Sequence, residues 1–258
     1  MAKQEIIIRD LSLFNSAIKS FNKLANEAKF QINGDGLTIY GKNAFARGEF
    51  FTDSIYSKAE LEFCLNDLAI FIKILDTALD VHENNDEGIS IFFDSPFVKI
   101  ESKKFKTKLI TVKEDIISNS IAQKIKTILT PVFEFVTTSQ QIKYINQHAY
   151  ISNDSSMSRI YLETNADMEN NIIYARIGND NDALNNTMTL KIGMVSFGSI
   201  EGKKLIINFD RLSLFNIIQS NEIKVQLMDK NVLVNTIQET GKNDSKYKFT
   251  IYTSLLAN

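Results

Sequence analysis

The sequence predicts an α+β protein made of two copies of one unit, and three observations lead to this prediction. A helix-like segment, "LNDLAIFIKIL" from Leu65 to Leu75, recurs as "NFDRLSLFNII" from Asn208 to Ile218. The same order of strand, helix, meander, helix and meander occurs in both halves. The strands are short and alternate apolar with polar residues, which is typical of antiparallel sheets that pack one face against helices. Such a combination belongs to the α+β class.

The first unit begins with a strand, Glu5–Arg9, followed by a helix that runs to about Ala28. Apolar residues at i, i+4, i+7 and i+11 predict that this helix buries one face. The second helix contains Leu65–Leu75, and Asp67 or Asn66 is predicted to cap its start. The residues predicted to face the core are Phe14, Ile18, Phe21 and Ala25 in the first helix, and Leu68, Phe71 and Leu75 in the second.

The second half repeats this order after a strand at Pro131–Val136. The segment "TSQQIKYINQHA" predicts a helix with Ile142, Ile145 and Ala149 on its apolar face. Alternating segments, separated by turns rich in Gly, Asn, Asp and Ser, fill the remainder of both halves. In the first half these segments are "AKFQIN", "LTIYGKN", "ARGEFFTD", "AELEFCL", "GISIFF", "FVKIES" and "KTKLITV", and in the second they are "RIYLETN", "NNIIYARIG", "TMTLKIG", "KLIINF", "EIKVQLM", "VLVNTIQ" and "YKFTIYTS".

A connector joins the two halves and is longer than an ordinary loop. It extends from Val112 to Pro131 and is predicted to cross the surface in an extended form, with room for one helical turn. The predicted domains are therefore residues 1–113 and 132–258, joined by residues 114–131. The isoleucines that would anchor the connector are Ile116, Ile117, Ile121, Ile125 and Ile128.

The composition describes a globular chain without a strong charge bias. Of its 258 residues, 44% are hydrophobic and 23% are charged, and the formal net charge is −2. Bulk charge argues against a basic nucleic-acid module, although an acidic face can offset a basic one. A single cysteine, Cys64, excludes an intramolecular disulfide. No apolar signal region or membrane-length run is visible, so we expect an intracellular protein.

No constellation in the sequence predicts catalysis. His82 and His148 have no metal-ligand spacing to another His or Cys, and no phosphate-binding or nucleophile motif occurs. The acidic pairs lie in turn-like segments, where solvated carboxylates are the ordinary interpretation. We therefore predict no catalytic residue, no metal ion and no cofactor.

The exposed faces of the predicted helices carry cations among small and amide residues. Lys19 and Lys23 lie at i, i+4 spacing, where they repel each other slightly, and this spacing suits an anionic neighbour without requiring one. An ordinary solvated helix face is the alternative. Lysines also alternate along "KKFKTKLITV", where they either protect an edge strand from aggregation or accompany its pairing with another subunit. The cations concerned are Lys19, Lys23, Lys73, Lys143 and Arg211 on helices, and Lys104, Lys106 and Lys108 on the strand.

The ordered series of elements resembles the sliding clamps of DNA replication, of the two-domain kind that includes proliferating cell nuclear antigen and the trimeric clamps of T4-like phages. The resemblance covers nearly all of residues 3–256. It rests on "FQINGDGLTIYGKNAFARGEF", the paired helices Asp67–Leu79 and Asp210–Ser220, the connector and "YKFTIYTSLL". It implies two clamp domains, each with antiparallel sheets and two inner helices.

This resemblance implies a protein without enzymatic activity that forms a homotrimeric ring around duplex DNA. The ring would tether DNA polymerase and receive a clamp loader. Contacts with phosphates would be weak and independent of sequence. One departure concerns the fourth helix, where Ile217 stands in the position of Lys73. The DNA-facing residues that the resemblance implies are Lys19, Lys23, Lys73, Lys104, Lys108, Lys143 and Arg211.

The resemblance also implies two protein-binding surfaces. Subunits would join through the edge strands Lys106–Val112 and Asn171–Gly178, with Lys106, Lys108, Ile110, Ile173, Tyr174 and Arg176 at the contact. A partner's apolar-aromatic peptide would bind beneath the connector. The alternative is that these apolar residues cover only the connector itself. The predicted pocket consists of Phe45, Ile117, Ile121, Val232, Tyr252 and Leu255.

Other functions remain open from sequence alone. The same fold without a ring would make a viral processivity subunit that holds DNA by charge, and a duplicated-domain assembly protein or a hydrolase with loop carboxylates are further alternatives. Richness in Lys, Asn and Ile favours an AT-rich genome, of which a phage is one source. The expected location is the cytoplasm of a bacterium or a phage-infected cell, or the nucleus of a eukaryote.

Overall fold

A computed structural model describes most of the chain, and it divides into two compact units. The first unit consists of Met1–Lys126 and Gln238–Phe249, and the second of Thr127–Ile237 and Thr250–Asn258. The predicted division differs, because it assigned residues 238–249 to the second domain. The described residues are 4–44, 46–83, 89–101, 105–117, 129–151, 159–164, 172–177, 188–200, 205–208, 212, 214, 220–240 and 246–255.

Helix α1 spans Leu11–Asn22 in the first unit. It ends before the predicted limit at Ala28, because the amides of Leu24 and Ala25 both turn back to the carbonyl oxygen of Phe21. Beyond this turn Ala25 still packs against the core. The predicted apolar face of Phe14, Ile18, Phe21 and Ala25 is buried, as the spacing indicated.

Helix α2 spans Leu68–Glu83. The amide of Ile70 donates to Oδ1 of Asp67 at 3.1 Å, so Asp67 is the N-cap and one of the unpaired first-turn amides is satisfied. Leu68, Phe71 and Leu75 are buried, which confirms the predicted core face. The helix continues to Glu83 and so includes the backbone of His82.

Two antiparallel sheets form the rest of the first unit. One has the strand order β5-β1-β7-β8-β9, and the other contains β4-β3-β2-β6. Phe63 of one sheet stacks on Phe93 of the other with ring centroids 5.4 Å apart, so the sheets share one core. The strands are β1 Gln4–Ile8, β2 Ala28–Ile32, β3 Leu37–Lys42, β4 Ala46–Thr52, β5 Ile55–Tyr56, β6 Leu61–Leu65, β7 Ser90–Asp94, β8 Phe97–Glu101 and β9 Lys106–Ile110.

The second unit contains a long antiparallel sheet in the order β14-β11-β12-β13-β10-β15-β16. Phe133 and Phe135 of its central strand are buried at its core. The strands are β10 Pro131–Thr137, β11 Arg159–Thr164, β12 Ile172–Ile177, β13 Met188–Gly198, β14 Leu205–Asn208, β15 Ile223–Met228 and β16 Val232–Thr240, and a last strand β17 spans Lys246–Ser254.

Helix α3, Ser139–Ile151, lies at the predicted position in the second unit. It begins with a reciprocal capping box, in which the Gln141 amide donates to the Thr138 hydroxyl at 3.2 Å and the Thr138 amide donates to the Gln141 side chain at 3.0 Å. Ile142 and Ile145 are buried as predicted. The predicted fourth helix, Asp210–Ser220, lies outside the described residues except for Leu212, Leu214 and Ser220.

The last strand explains why the first unit includes part of the C-terminal sequence. Phe249 is fully buried, with its ring 5.8 Å from that of Phe21 and 6.3 Å from that of Phe50. The amide of Lys246 donates to the carboxylate of Asp53 at 2.7 Å. Residues 246–249 therefore complete the core around α1.

Candidate functional site

The packed pair α1 and α2 carries three of the predicted DNA-facing lysines. Phe14 and Phe71 join the helices through an edge-to-face contact at 6.1 Å. All three lysines are exposed. Lys19 belongs to α1, Lys73 belongs to α2, and Lys23 follows α1 directly. The structure therefore places all three cations on or next to the packed pair α1 and α2.

A carboxylate that the sequence analysis did not single out lies beside Lys19. The ammonium of Lys19 is 2.5 Å from Oδ1 of Asp76, and the amide nitrogen of the buried Asn15 donates to the same oxygen at 2.7 Å. The hydrogen bond from Lys19, and secondly that from Asn15, lower the pKa of Asp76. The pairing crosses from one helix to the other, so spacing within either helix contains no signal for it.

The remaining predicted DNA-facing residues are distributed elsewhere. Lys143 is exposed on α3, one residue before Tyr144, whose hydroxyl lies 3.3 Å from the side-chain nitrogen of Gln140. Lys108 lies on β9, with its ammonium 4.9 Å from the ring centroid of Phe97. Lys104 and Arg211 fall outside the described residues.

Strand β9 is the last strand of its sheet and carries Lys106, Lys108 and Ile110 on its exposed face. It pairs with β8 on one side, and no described strand pairs with its other side. Ile110 is 59% exposed, which is high for a large aliphatic side chain. An edge of this kind offers backbone donors and acceptors to another chain, and its part in a subunit contact stays a prediction.

The structure corrects the other half of the predicted contact. Strand β12 pairs with β11 along one side and with β13 along the other, so its backbone groups are already used. Ile173 is fully buried, and buried Arg176 lies 3.3 Å from the carboxylate of Glu163 and 4.9 Å from the ring centroid of Tyr161. Within the described residues 172–177 this segment therefore offers no free edge, and Ile173, Tyr174 and Arg176 belong to an interior strand. Alternation along a strand does not distinguish an edge position from an interior one.

Part of strand β13 is paired on one side only among the described strands. It pairs with β12 through Met188–Met194 but with β10 only from Met194 to Gly198. No described strand therefore pairs with residues 188–192 on the side away from β12. Met188, Thr189 and Lys191 are exposed along this segment.

The start of the predicted connector is anchored on the first unit. Val112 pairs with Cys64 of β6, and the side chain of Ile117 is fully buried against Tyr40 and Cys64. Burial raises the pKa of the Cys64 thiol to about 11, which leaves it protonated at neutral pH. Ile117 therefore covers the connector's own apolar side, which was the alternative interpretation, and has no surface left for a partner peptide.

Lys29 forms a second anchor for the connector. Its side chain is 7% exposed, and its ammonium lies 2.8 Å from Glu62 of β6 and 2.9 Å from Glu114 of the connector. Burial alone lowers the pKa of Lys29, but the hydrogen bonds and charges of both glutamates outweigh it and raise that pKa. Burial likewise raises the pKa of Glu62, but hydrogen bonds from Lys29 and Gln31 outweigh it and lower that pKa.

We expect Lys29→Met to loosen the connector and to remove part of the acid sensitivity of the first unit. A carboxylate with a lowered folded-state pKa contributes stability above its ordinary pKa, and this stability is lost as pH falls through the folded value. The variant should lose about 1 kcal/mol of unfolding free energy at pH 7, since both glutamates are nearly half exposed. The loss should shrink in acid, as pH falls below the ordinary range of a glutamate and through the lowered folded-state pKa of Glu62.

Urea unfolding at both pH values and hydrogen exchange at residues 112–117 test this expectation. Lys58→Met, which replaces an exposed lysine of the β5–β6 turn, is the matched control. Equal unfolding curves and equal exchange for the two variants would contradict the anchoring role of Lys29.

The other predicted pocket residues lie in the second unit or outside the described residues. Val232 begins β16, and the amide of Leu255 donates to the carbonyl of Asn231 at 3.0 Å, so the two side chains stand on neighbouring chain segments. Tyr252 is half-buried on β17. Phe45 and Ile121 are not among the described residues.

The described residues contain neither a metal-binding cluster nor a membrane-spanning helix. Within those ranges, no group of three or more His, Cys, Asp and Glu side chains is arranged to hold a metal ion. No helix there is long and apolar enough to cross a membrane.

Comparisons by sequence found no matching family model and no similar curated protein. Solved structures, in contrast, match along the whole chain. The structure of the C-terminal region of FEN-1 bound to A. fulgidus PCNA superimposes with a TM-score of 0.69 at 11% identity, covering 100% of this chain and 99% of that one. Proliferating cellular nuclear antigen from Entamoeba histolytica gives 0.69 at 14% identity, with 99% of both chains covered.

A third match has the same extent. PCNA from Thermococcus kodakaraensis superimposes with a TM-score of 0.67 at 13% identity, covering 99% of this chain and 100% of that one. The chain therefore has the DNA sliding-clamp fold, as the order of its elements predicted.

Proposed function

We propose that this chain, whose fold is that of the DNA sliding clamps, is itself a sliding clamp. Three copies would close into a ring around duplex DNA and tether DNA polymerase and other replication proteins to it. The observation that carries the proposal is the match to PCNA structures, which covers at least 99% of this chain and of each of the other chains. The protein would act as a scaffold without enzymatic activity, and a clamp loader would open the ring.

The charges of the described helices support a DNA-facing role. Lys19 and Lys73 extend from α1 and α2, Lys23 follows α1 directly, and Lys143 extends from α3. Lysines that reach phosphates make contacts that are independent of base sequence and weaken with salt. A ring holds DNA by topology, so a few such contacts suffice. A net charge of −2 for the chain is compatible with this arrangement.

Ring closure requires two complementary surfaces on each copy, because head-to-tail contacts use different patches. We propose β9 as one surface and residues 188–192 of β13 as the other. Both present backbone edges that no described strand occupies. Pairing them would satisfy these groups and cover Ile110. Edge pairing between copies would thus leave no open sheet edge at these positions.

Partner proteins would bind through short peptides, as the C-terminal region of FEN-1 binds A. fulgidus PCNA. We retain Val232, Tyr252 and Leu255 as proposed contacts because they are incompletely buried. Phe45 and Ile121 remain proposed from the sequence resemblance. Ile117 is excluded from this set because its side chain is fully buried.

Two measurements test the ring. Native mass should give a species of three times 29.3 kDa. Protein loaded on closed circular DNA should remain bound and should dissociate once the circle is cut. Equal retention on closed and cut circles would indicate a non-ring processivity subunit, and absence of retention on either would favour an assembly protein.

We expect the combined variant Lys23→Ala, Lys73→Ala, Lys143→Ala to weaken duplex binding while leaving the native mass unchanged. Each lost phosphate contact should reduce the slope of log K against log salt by up to about 0.9. Fluorescence anisotropy with a labelled duplex over a range of salt concentrations measures this slope. The matched control replaces Lys58, Lys230 and Lys248, three exposed lysines outside these helices. Equal slopes for both variants would remove the helices from the DNA-binding surface.

A further inference from the structure

The cation of Lys19 differs from the other two cations of the α1–α2 pair. Among the described residues, no acidic side chain lies within ion-pair distance of Lys23 or Lys73, whereas Lys19 contacts Asp76 at 2.5 Å. Asp76 is held in turn by Asn15, which is only 4% exposed and donates to the same oxygen at 2.7 Å. One lysine of the proposed DNA-facing surface is therefore paired with a carboxylate, and a hydrogen bond from a buried side chain holds that carboxylate in place.

We propose that Asp76 is a positioning residue that restrains Lys19 and limits the affinity of this surface for DNA phosphates. This inference rests on the proposed function. Lys19 can contact a phosphate only if its contact with Asp76 breaks. The loss of this ion pair therefore offsets part of the free energy gained from the phosphate contact. The carboxylate that remains also repels the phosphate.

The requirement that a ring slides along DNA supports such a restraint. A ring does not need affinity to stay on DNA, and every tight phosphate contact has to break for each step along the duplex. The pair is accessible to a competing anion, because the side chains of Lys19 and Asp76 are 47% and 41% exposed. Exposed pairs are weak and exchange readily. The geometry is thus that of a lysine that can contact a phosphate and release it with only a small change in free energy.

The test uses full-length protein and a short labelled duplex. D76N removes the charge but keeps an oxygen that can accept from Asn15, so the local fold should survive. We expect D76N to tighten duplex binding about two- to fivefold at low salt, the range that an exposed ion pair allows. Its salt dependence should also become steeper, since Lys19 then contacts phosphate fully. D76E, which restores the carboxylate, should return binding toward the wild-type value.

A double-mutant cycle separates positioning from bulk charge. In the K19A background, D76N should change binding no more than D35N does. D35N, which removes an equal charge from the exposed β2–β3 turn, is the matched control. If D76N tightens binding as strongly without Lys19, or if D76N and D35N act alike in the wild-type background, the inference is overturned while the sliding-clamp proposal stands.

A second readout does not depend on DNA. Titration of the Asp76 carboxyl by NMR should show a lowered pKa in the wild type, which rises in K19A because the largest cause of the lowering is removed. An unchanged pKa would overturn the restraint directly. If the wild type binds no duplex and fails on circular DNA, the proposed function fails, and the inference fails with it even when the titration reveals the pair.

Discussion

Replacing Lys108 by proline is expected to convert the proposed trimer into folded single chains. The amide of Thr111 donates to Pro96 at 2.8 Å, towards β8. Because successive residues of a strand point their amides to opposite sides, those of Leu109 and Thr107 also face β8, whereas those of Ile110 and Lys108 face the open edge. Proline at 108 removes an outward donor and leaves the β8 ladder intact.

Native mass spectrometry and circular dichroism check this expectation together. K108P should give a mass near 29.3 kDa, with an unchanged circular dichroism spectrum, and should lose retention on closed circular DNA. K108T controls for loss of the ammonium over Phe97 and should remain trimeric. T107P interrupts the ladder to β8 and should lower stability as well as trimer formation. A trimeric K108P would exclude β9 from the subunit contact.

The second large effect is expected at Gly41, where α1 approaches the sheet closely. Gly41 of β3 lies opposite Gly48 of β4. A Cβ atom at position 41 would lie 2.5 Å from Cε1 of Phe21 and 2.8 Å from Cβ of Ala25. Phe21 is fully buried and cannot move aside without disturbing the core. We expect Gly41→Ala to lower the unfolding free energy by about 2 to 3 kcal/mol.

Gly48→Ala is the informative comparison. The new methyl group there would lie 2.1 Å from Cδ2 of Leu24, the far end of a buried side chain that is smaller and more flexible than Phe21. Its cost should therefore be smaller, about 1 kcal/mol. Urea unfolding at one fixed protein concentration measures both variants, because assembly would make stability depend on concentration. Equal losses, or a stable Gly41→Ala, would contradict the close approach of α1.

Much of the fold was predictable from local patterns. The burial of Phe14, Ile18 and Phe21 follows from helical spacing, and the apolar run limits the N-cap to Asn66 or Asp67, of which the structure uses Asp67. These features are predictable because a helix presents residues three and four apart on one face whatever lies beyond it. The repeated order of elements predicted the fold class for the same reason.

The details of the candidate site were less predictable. The contact between Lys19 and Asp76 joins residues 57 positions apart, and the anchor between Lys29 and Glu114 joins residues 85 positions apart. Charge alone marked Lys19 as a candidate, but no local pattern indicates which acid neutralises it. Sequence reasoning therefore found the cations and missed the carboxylate that modifies one of them.

By itself, the sequence determined the order and type of the described elements, the apolar faces of α1, α2 and α3, and the fold class. Only the tertiary structure decided that β12 is interior, that no described strand pairs with one side of residues 188–192 of β13, that Ile117 is buried, and that Phe249 completes the core around α1. The reason is the separation along the chain of the residues that make contact. Periodicity records the contact of one segment with an apolar layer, whereas strand order and ion pairing depend on which distant segments become neighbours.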